Sequence, residues 1–175
     1  MSRYRRLWHP GGTYFFTHTL LHRGGDLLVR RIDLLRASVM KVRAEYPFCI
    51  VAWSVLPDHF HCVIALPDDD ARFELRWRLI KQRFSCGIPN AEPRSESRRR
   101  RGERGVWQRR YWEHLIRDED DLAAHIDYVH INPVKHGLVQ KVSAWPHSTF
   151  GRWVREGFYL QDWAGEPAID DLDQD

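Results

Sequence analysis

The 175-residue sequence is poor in cysteine and has no long hydrophobic run. Its three cysteines, Cys49, Cys62 and Cys86, are an odd count with no Cys-x-x-Cys spacing. This argues against a disulfide framework and against a zinc knuckle. Cys49 and Cys62 fall in apolar runs and are expected to be buried thiols. No stretch of about 18 apolar residues exists to span a membrane, and no apolar segment follows the basic N-terminus as a signal peptide would require. A reducing, cytoplasmic setting fits these absences.

What is present is a length suited to one domain with a proper core, 43% hydrophobic residues and eight Trp. The net charge is only +3, but it is unevenly spread. Arg3, Tyr4, Arg5 and Arg6 open the chain. Residues 94–110 hold Arg94, Arg98, Arg99, Arg100, Arg101, Arg104, Arg109 and Arg110, and residues 166–175 are acidic. Basic residues interleaved with aromatics point to nucleic acid; the plainer alternative is a solvated, charged surface.

The segment Leu56-Pro57-Asp58-His59-Phe60-His61-Cys62-Val63-Ile64 places two histidines either side of one apolar residue. In a strand His59 and His61 share a face, about 7 Å apart, with Phe60 on the other. Such a pair is either a metal grip or ordinary surface polarity.

Residues 13–20 read as a strand rich in aromatic and β-branched side chains. Ile32, Leu35, Val39, Val42 and Tyr46 fall at helical spacing, and Pro47 ends that helix. Residues 48–56 and 60–66 form a hairpin about Pro57-Asp58. Phe73, Trp77, Ile80 and Phe84 mark a second helix. Residues 86–105 read as a mobile Arg-rich loop, and 106–116 as a strand or bent strand. A third helix starts at the acidic cluster from Asp118 and is expected to stop near Asn132, because Pro133 follows. A short helix falls within 148–160. This order predicts an α+β fold: a ferredoxin-like antiparallel sheet with helices on one face, plus an appended C-terminal helix. Residues 1–165 form one domain in this reading, followed by the acidic tail 166–175.

The third helix decides the chemistry. Its apolar stripe is Leu122, Ile126 and Val129, and Tyr128 lies off the middle of it. His125, Tyr128 and Asn132 share a flank, with Asn132 one turn beyond Tyr128. A phenol there can serve as nucleophile if the electrophile is activated, since its ordinary pKa is about 10. A metal on His59 and His61, with Asn132 as third ligand, would polarise a phosphate. Taken singly, Tyr128 also reads as an aromatic flanking the core and Asn132 as a helix-end residue. No general base stands out; His125, His130 and Asp127 are candidates by neighbourhood. A zinc hydrolase would need a His-Glu-x-x-His helix or its equivalent, and none is found.

Several stretches together resemble the REP-associated tyrosine transposases, a branch of the single-tyrosine HUH transposases. They are Tyr4-Arg5-Arg6, Gly11-Gly12-Thr13-Tyr14-Phe15-Phe16-Thr17, Trp53 through His61, Trp77-Arg78-Leu79-Ile80-Lys81, Trp107-Gln108, Tyr111-Trp112-Glu113-His114, Asp127 through Val139, and Trp145 through Phe150. The resemblance implies a single-stranded DNA nuclease and strand-transferase acting on REP-type hairpins. It makes Tyr128 the catalytic tyrosine, and His59, His61 and Asn132 the ligands of Mg²⁺ or Mn²⁺. Arg3, Tyr4, Arg5, Arg6, Arg78, Lys81, Arg109 and Arg110 are the expected DNA contacts, with Tyr4 and Trp8 as stacking platforms. The implied partner is single-stranded DNA with hairpin structure, with no membrane and no organic cofactor. The chain would act as a monomer or a homodimer. The Arg-rich 86–105 segment is longer than the family pattern leads one to expect. The alternative within the same fold is a hairpin-binding protein without activity.

Overall fold

The computed structural model describes residues 8–89, 96–102 and 104–165. Arg3, Tyr4, Arg5, Arg6 and the acidic tail lie outside the described residues.

Four strands form one antiparallel sheet: β1 (Thr13–Thr19), β2 (Cys49–Val55), β3 (His59–Ala65) and β4 (Trp112–Leu115), in the order β2-β3-β1-β4. Alternation along the strands sorts their side chains to two faces. Tyr14, Phe16, Phe60, Cys62 and Ile64 meet α2 (Ile32–Glu45) and α3 (Phe73–Cys86), while Phe15, Ala52 and Val63 meet α5 (Glu119–Lys135). This is the expected ferredoxin-like arrangement, and the appended helix covers the face that α2 and α3 leave. The remaining helical pieces are α1 (Leu27–Arg30), α4 (Glu96–Arg100), a 3₁₀ turn (Val142–Ala144) and α6 (Phe150–Arg155). The segment expected as a loop thus carries one short helix.

A buried arginine fixes α3 against the end of α2. Arg76 is 1% exposed. It donates to the Tyr46, Pro47 and Arg72 carbonyls and, at 3.0 Å, to Asp70. Hydrogen bonding from Arg72 first, and from Arg76 after it, holds the Asp70 carboxyl well below its usual range. One of the Arg residues flanking the tryptophans is therefore structural.

The outer edge of β2 is not open. The ladder slips its register between Ile50 and Ala52. There the Val51 carbonyl accepts from Trp153 Nε1 at 2.9 Å and from Arg152. Further along, Trp53 N donates to Thr149 Oγ1, Thr149 N to the Trp53 carbonyl, Val55 N to the His147 carbonyl, and Trp145 Nε1 to the Val55 carbonyl. Residues 145–153 satisfy the edge groups that a neighbouring strand would otherwise take.

Two expectations need correction. Cys62 is buried, but Cys49 is exposed, because it opens the edge strand. The third helix runs through Pro133 to Lys135 rather than stopping at Asn132. Proline deletes one hydrogen bond, but in the last turn little helix remains to be broken. The true end is a Schellman motif. Gly137, at φ 66, donates to the Val134 carbonyl, and Leu138 N donates to the Pro133 carbonyl.

Candidate metal and nucleophile site

His59 and His61 stand on β3 facing α5, and both are buried. Each ring is held through Nδ1. His59 Nδ1 lies 2.6 Å from Asp58 Oδ1, and His61 Nδ1 lies 2.8 Å from Thr17 Oγ1. Ligating histidines commonly anchor one nitrogen in this way, which fixes the tautomer and turns the other towards the ion. Here that leaves Nε2 as the ligating atom of both.

A third imidazole joins them. His136 is the C-terminal cap of α5, and its ring lies 4.8 Å from that of His59. One nitrogen from each of His59, His61 and His136 falls within 4.8 Å of the others, so the three can hold a metal ion. His59 and His61 form the buried floor, and the exposed His136 opens towards solvent. The donor set fits a divalent ion of borderline character such as Mn²⁺ better than Mg²⁺, which prefers oxygen ligands. Ending the helix at Asn132, three residues early, hides His136. Gly137 was the signal, as a C′ glycine directly after Lys135-His136.

Tyr128 is placed beside this group. Its ring meets the His61 ring edge-on, with centroids 5.2 Å apart, and the Phe15 ring at 5.7 Å. It was expected off the core face, yet it is only 8% exposed, because Phe15 and His61 of the sheet reach up to meet it. Lys135 places its ammonium 5.1 Å from the Tyr128 ring centroid. A cation over the ring favours the ring's electron density.

Asn132 is 1% exposed, and its Nδ2 donates to the Tyr128 carbonyl at 2.9 Å. That bond uses the amide nitrogen and does not involve the amide oxygen.

Of the candidate bases, Asp127 accepts from the Tyr159 hydroxyl. Burial first, and that carboxylate second, push the Tyr159 phenol far up. His130 is buried against Thr149. His125 packs on Phe15 and is pushed down, chiefly by burial. With Asp121 and His114 it forms a second polar group, in which His114 Nε2 lies 2.8 Å from Asp121 Oδ2. Burial raises the Asp121 carboxyl, but hydrogen bonds from His114 and Arg117 outweigh it and hold it at about 2. This group locks β4 to the start of α5.

No protein-family model matches the chain. Two full-length relatives do. A REP-associated tyrosine transposase of Escherichia coli (strain K12) is 46% identical over 168 residues, 95% of this chain and 93% of its own. The chain belongs to the REP-associated tyrosine transposases. A second relative, from Haemophilus influenzae (strain ATCC 51907 / DSM 11121 / KW20 / Rd), is 43% identical over 170 residues, 97% of both chains. Among solved structures, that of a REP-associated tyrosine transposase bound to a REP hairpin superposes with a TM-score of 0.82. It is 46% identical and covers 95% of this chain and 93% of its own. As a tyrosine transposase, the protein is an enzyme of DNA cleavage and joining.

Of the cations expected to meet DNA, those among the described residues gather beside α3. Arg78, Lys81 and Arg109 line one cleft beside α3, and Arg110 is exposed beside them in the chain. Among the described residues, no helix is long and apolar enough to cross a membrane.

Proposed function

We propose that this transposase cleaves and rejoins single-stranded DNA carrying a REP-type hairpin, through a 5′-phosphotyrosine at Tyr128. The observation that carries this reading is the contact between Tyr128 and the imidazole group. The Tyr128 ring lies 5.2 Å from that of His61, one of three histidines able to hold one ion.

His59 and His61 hold Mg²⁺ or Mn²⁺, with Asn132 and His136 completing the protein's share. The ion, when bound, supplies the Lewis acid that polarises the scissile phosphate. Asp58 and Thr17 keep the two strand imidazoles in register with it. Tyr128, fixed by Phe15 and His61, needs little reorientation to reach a phosphate held there. Its oxygen forms the new bond to phosphorus as the bond to the 3′ oxygen breaks. The phenol proton is lost to solvent or a nearby base, and the departing 3′ oxygen takes one up. A 3′-OH of another strand then reverses the step and joins the DNA. Metal ligands and nucleophile come from one chain, so the step needs one copy only. Arg3, Tyr4, Arg5, Arg6, Arg78, Lys81, Arg109 and Arg110 bind the DNA, chiefly through phosphates, and Trp8 offers an exposed ring for stacking. The support for a hairpin substrate is the relative whose structure holds a REP hairpin.

The test is incubation with a labelled single-stranded hairpin and Mn²⁺, followed by denaturing electrophoresis. A covalent protein–DNA adduct, absent from Tyr128→Phe, is expected. Undiminished hairpin binding with no adduct from any hairpin or ion would leave a binding protein without activity.

A further inference from the structure

Lys135 follows Tyr128 on α5 by two helical turns, or about 10 Å of rise. Their side chains therefore emerge on one flank of the helix, with Asn132 between them. Side chains on a helix lean towards its N-terminus. The Lys135 stem accordingly runs back towards Tyr128 and brings its ammonium 5.1 Å from that ring's centroid. Tyr128 is buried and Lys135 is exposed, so a cation that solvent can reach stands beside a buried nucleophile.

The end of α5 holds this arrangement in place. His136 N donates to the Asn132 carbonyl at 2.9 Å, and Gly137 N to the Val134 carbonyl at 2.9 Å. His136 places its ring 4.8 Å from that of His59, and the His61 ring lies 5.2 Å from that of Tyr128. The last turn of the helix thus sends one residue to the metal group and the residue before it to the nucleophile. Attack by a phenol oxygen on a phosphodiester adds negative charge to the two non-bridging oxygens. A cation already fixed beside the nucleophile stabilises that charge without reorganising.

We propose that Lys135 is a catalytic residue, its ammonium binding a non-bridging oxygen of the scissile phosphate as Tyr128 attacks. This rests on the phosphotyrosine reading above. Lys135 acts as a fixed charge and transfers no proton. The phenol oxygen bonds to phosphorus and the bond to the 3′ oxygen breaks. The phenol proton leaves to solvent, and the 3′ oxygen takes one from it. The ammonium keeps its hold on the same phosphate in the 5′-phosphotyrosine. Cleavage and rejoining share one transition state, so both depend on it alike. A lysine that only stacks on the ring would change neither rate.

The experiment has two arms. In the first, the rates of adduct formation and of rejoining are measured with Mn²⁺ and a labelled hairpin. Lys135→Met, at an exposed position, is expected to slow both by about 100-fold, while Lys135→Arg, which keeps the charge, retains most of each. The second arm needs no cleavage and no metal. Hairpin affinity is measured by anisotropy in the Tyr128→Phe background, with a neutral methylphosphonate at successive backbone positions. One position should cost about two- to fivefold in affinity, and adding Lys135→Met should erase that cost. The assignment is overturned if Lys135→Met reacts at the wild-type rate, if Lys135→Arg is as slow as Lys135→Met, or if every methylphosphonate costs both proteins the same. A flat second arm beside a wild-type adduct sinks this inference alone. Absence of any adduct from the wild type sinks the nuclease reading, and the catalytic role of Lys135 with it.

Discussion

Thr17 stands directly opposite His61 in the β1–β3 ladder, and its hydroxyl oxygen lies 2.8 Å from His61 Nδ1. A neighbouring strand thus orients one imidazole of the group that could hold a metal ion. Thr17→Val preserves shape and β propensity but removes that partner. Mn²⁺ affinity should fall about 10- to 100-fold, measured by calorimetry on the free protein. Tyr128→Phe should leave the same affinity unchanged. Equal affinity in Thr17→Val and wild type would show that the ring needs no anchor.

His136 is reached only because α5 persists past Pro133. His136→Ala should weaken metal binding at least as much as Thr17→Val, with the far-ultraviolet circular dichroism unaltered. Gly137→Ala acts on the same residue indirectly. Its φ of 66 suits glycine, and an alanine there costs about 1 kcal/mol while disturbing the cap that carries His136. A variant with full metal affinity and lower stability would separate the two effects.

Metal removal should abolish adduct formation and leave the fold in place. The sheet, its two helical layers and the anchors on His59 and His61 are all made by protein groups. Chelation should therefore shift the melting temperature by a few degrees at most, in contrast to domains that unfold without their metal. Collapse of the circular dichroism signal on chelation would contradict this.

Arg76→Ala should cost about 3–5 kcal/mol, because it removes the buried partner of Asp70 and leaves three carbonyls without their donor. Arg72 also pairs with Asp70, but its side chain is 67% exposed, and Arg72→Ala should cost about 1 kcal/mol or less. Urea denaturation of the two variants measures the difference. Equal losses would mean that Arg76 is no more than a surface partner.

His130 makes stability fall in mild acid. Burial, and after it the Arg152 charge, push this imidazole down to about 3, while in the unfolded chain it titrates near 6.5. Its contribution is whole above pH 6.5 and is lost as pH falls towards 3, at about 1.4 kcal/mol per pH unit within that window. His130→Gln can still donate to Thr149 but takes up no proton. Its stability should depend on pH less steeply, by about one proton, between pH 4 and 6. Parallel wild-type and variant profiles would remove His130 as the cause.

The pattern of alternation and helical spacing was enough to place β1, the β2–β3 hairpin, α2, α3 and α5, because each buries a clear apolar face. Tyr128 and the His pair were legible for the same reason: their faces follow from period and order. His136 was not, since a proline in the last turn looks in sequence like a stop, and only the following glycine reveals the longer helix. The burial of Tyr128 was equally hidden, because Phe15 and His61 come from strands over 60 residues away. Arg76 resembles its neighbour Arg78 in sequence, and only the packing of α3 on α2 separates the buried cation from the exposed one.

The clasp of residues 145–153 over the β2 edge has a consequence for synthesis. The strands are complete in the nascent chain once residue 115 has emerged, yet the edge of β2 keeps unpaired N–H and C=O groups until Trp145, His147, Thr149 and Trp153 follow. During that interval the growing polypeptide offers a template on which a second nascent chain can add a strand. Arrival of residues 145–153 at that edge is what closes the sheet to strangers.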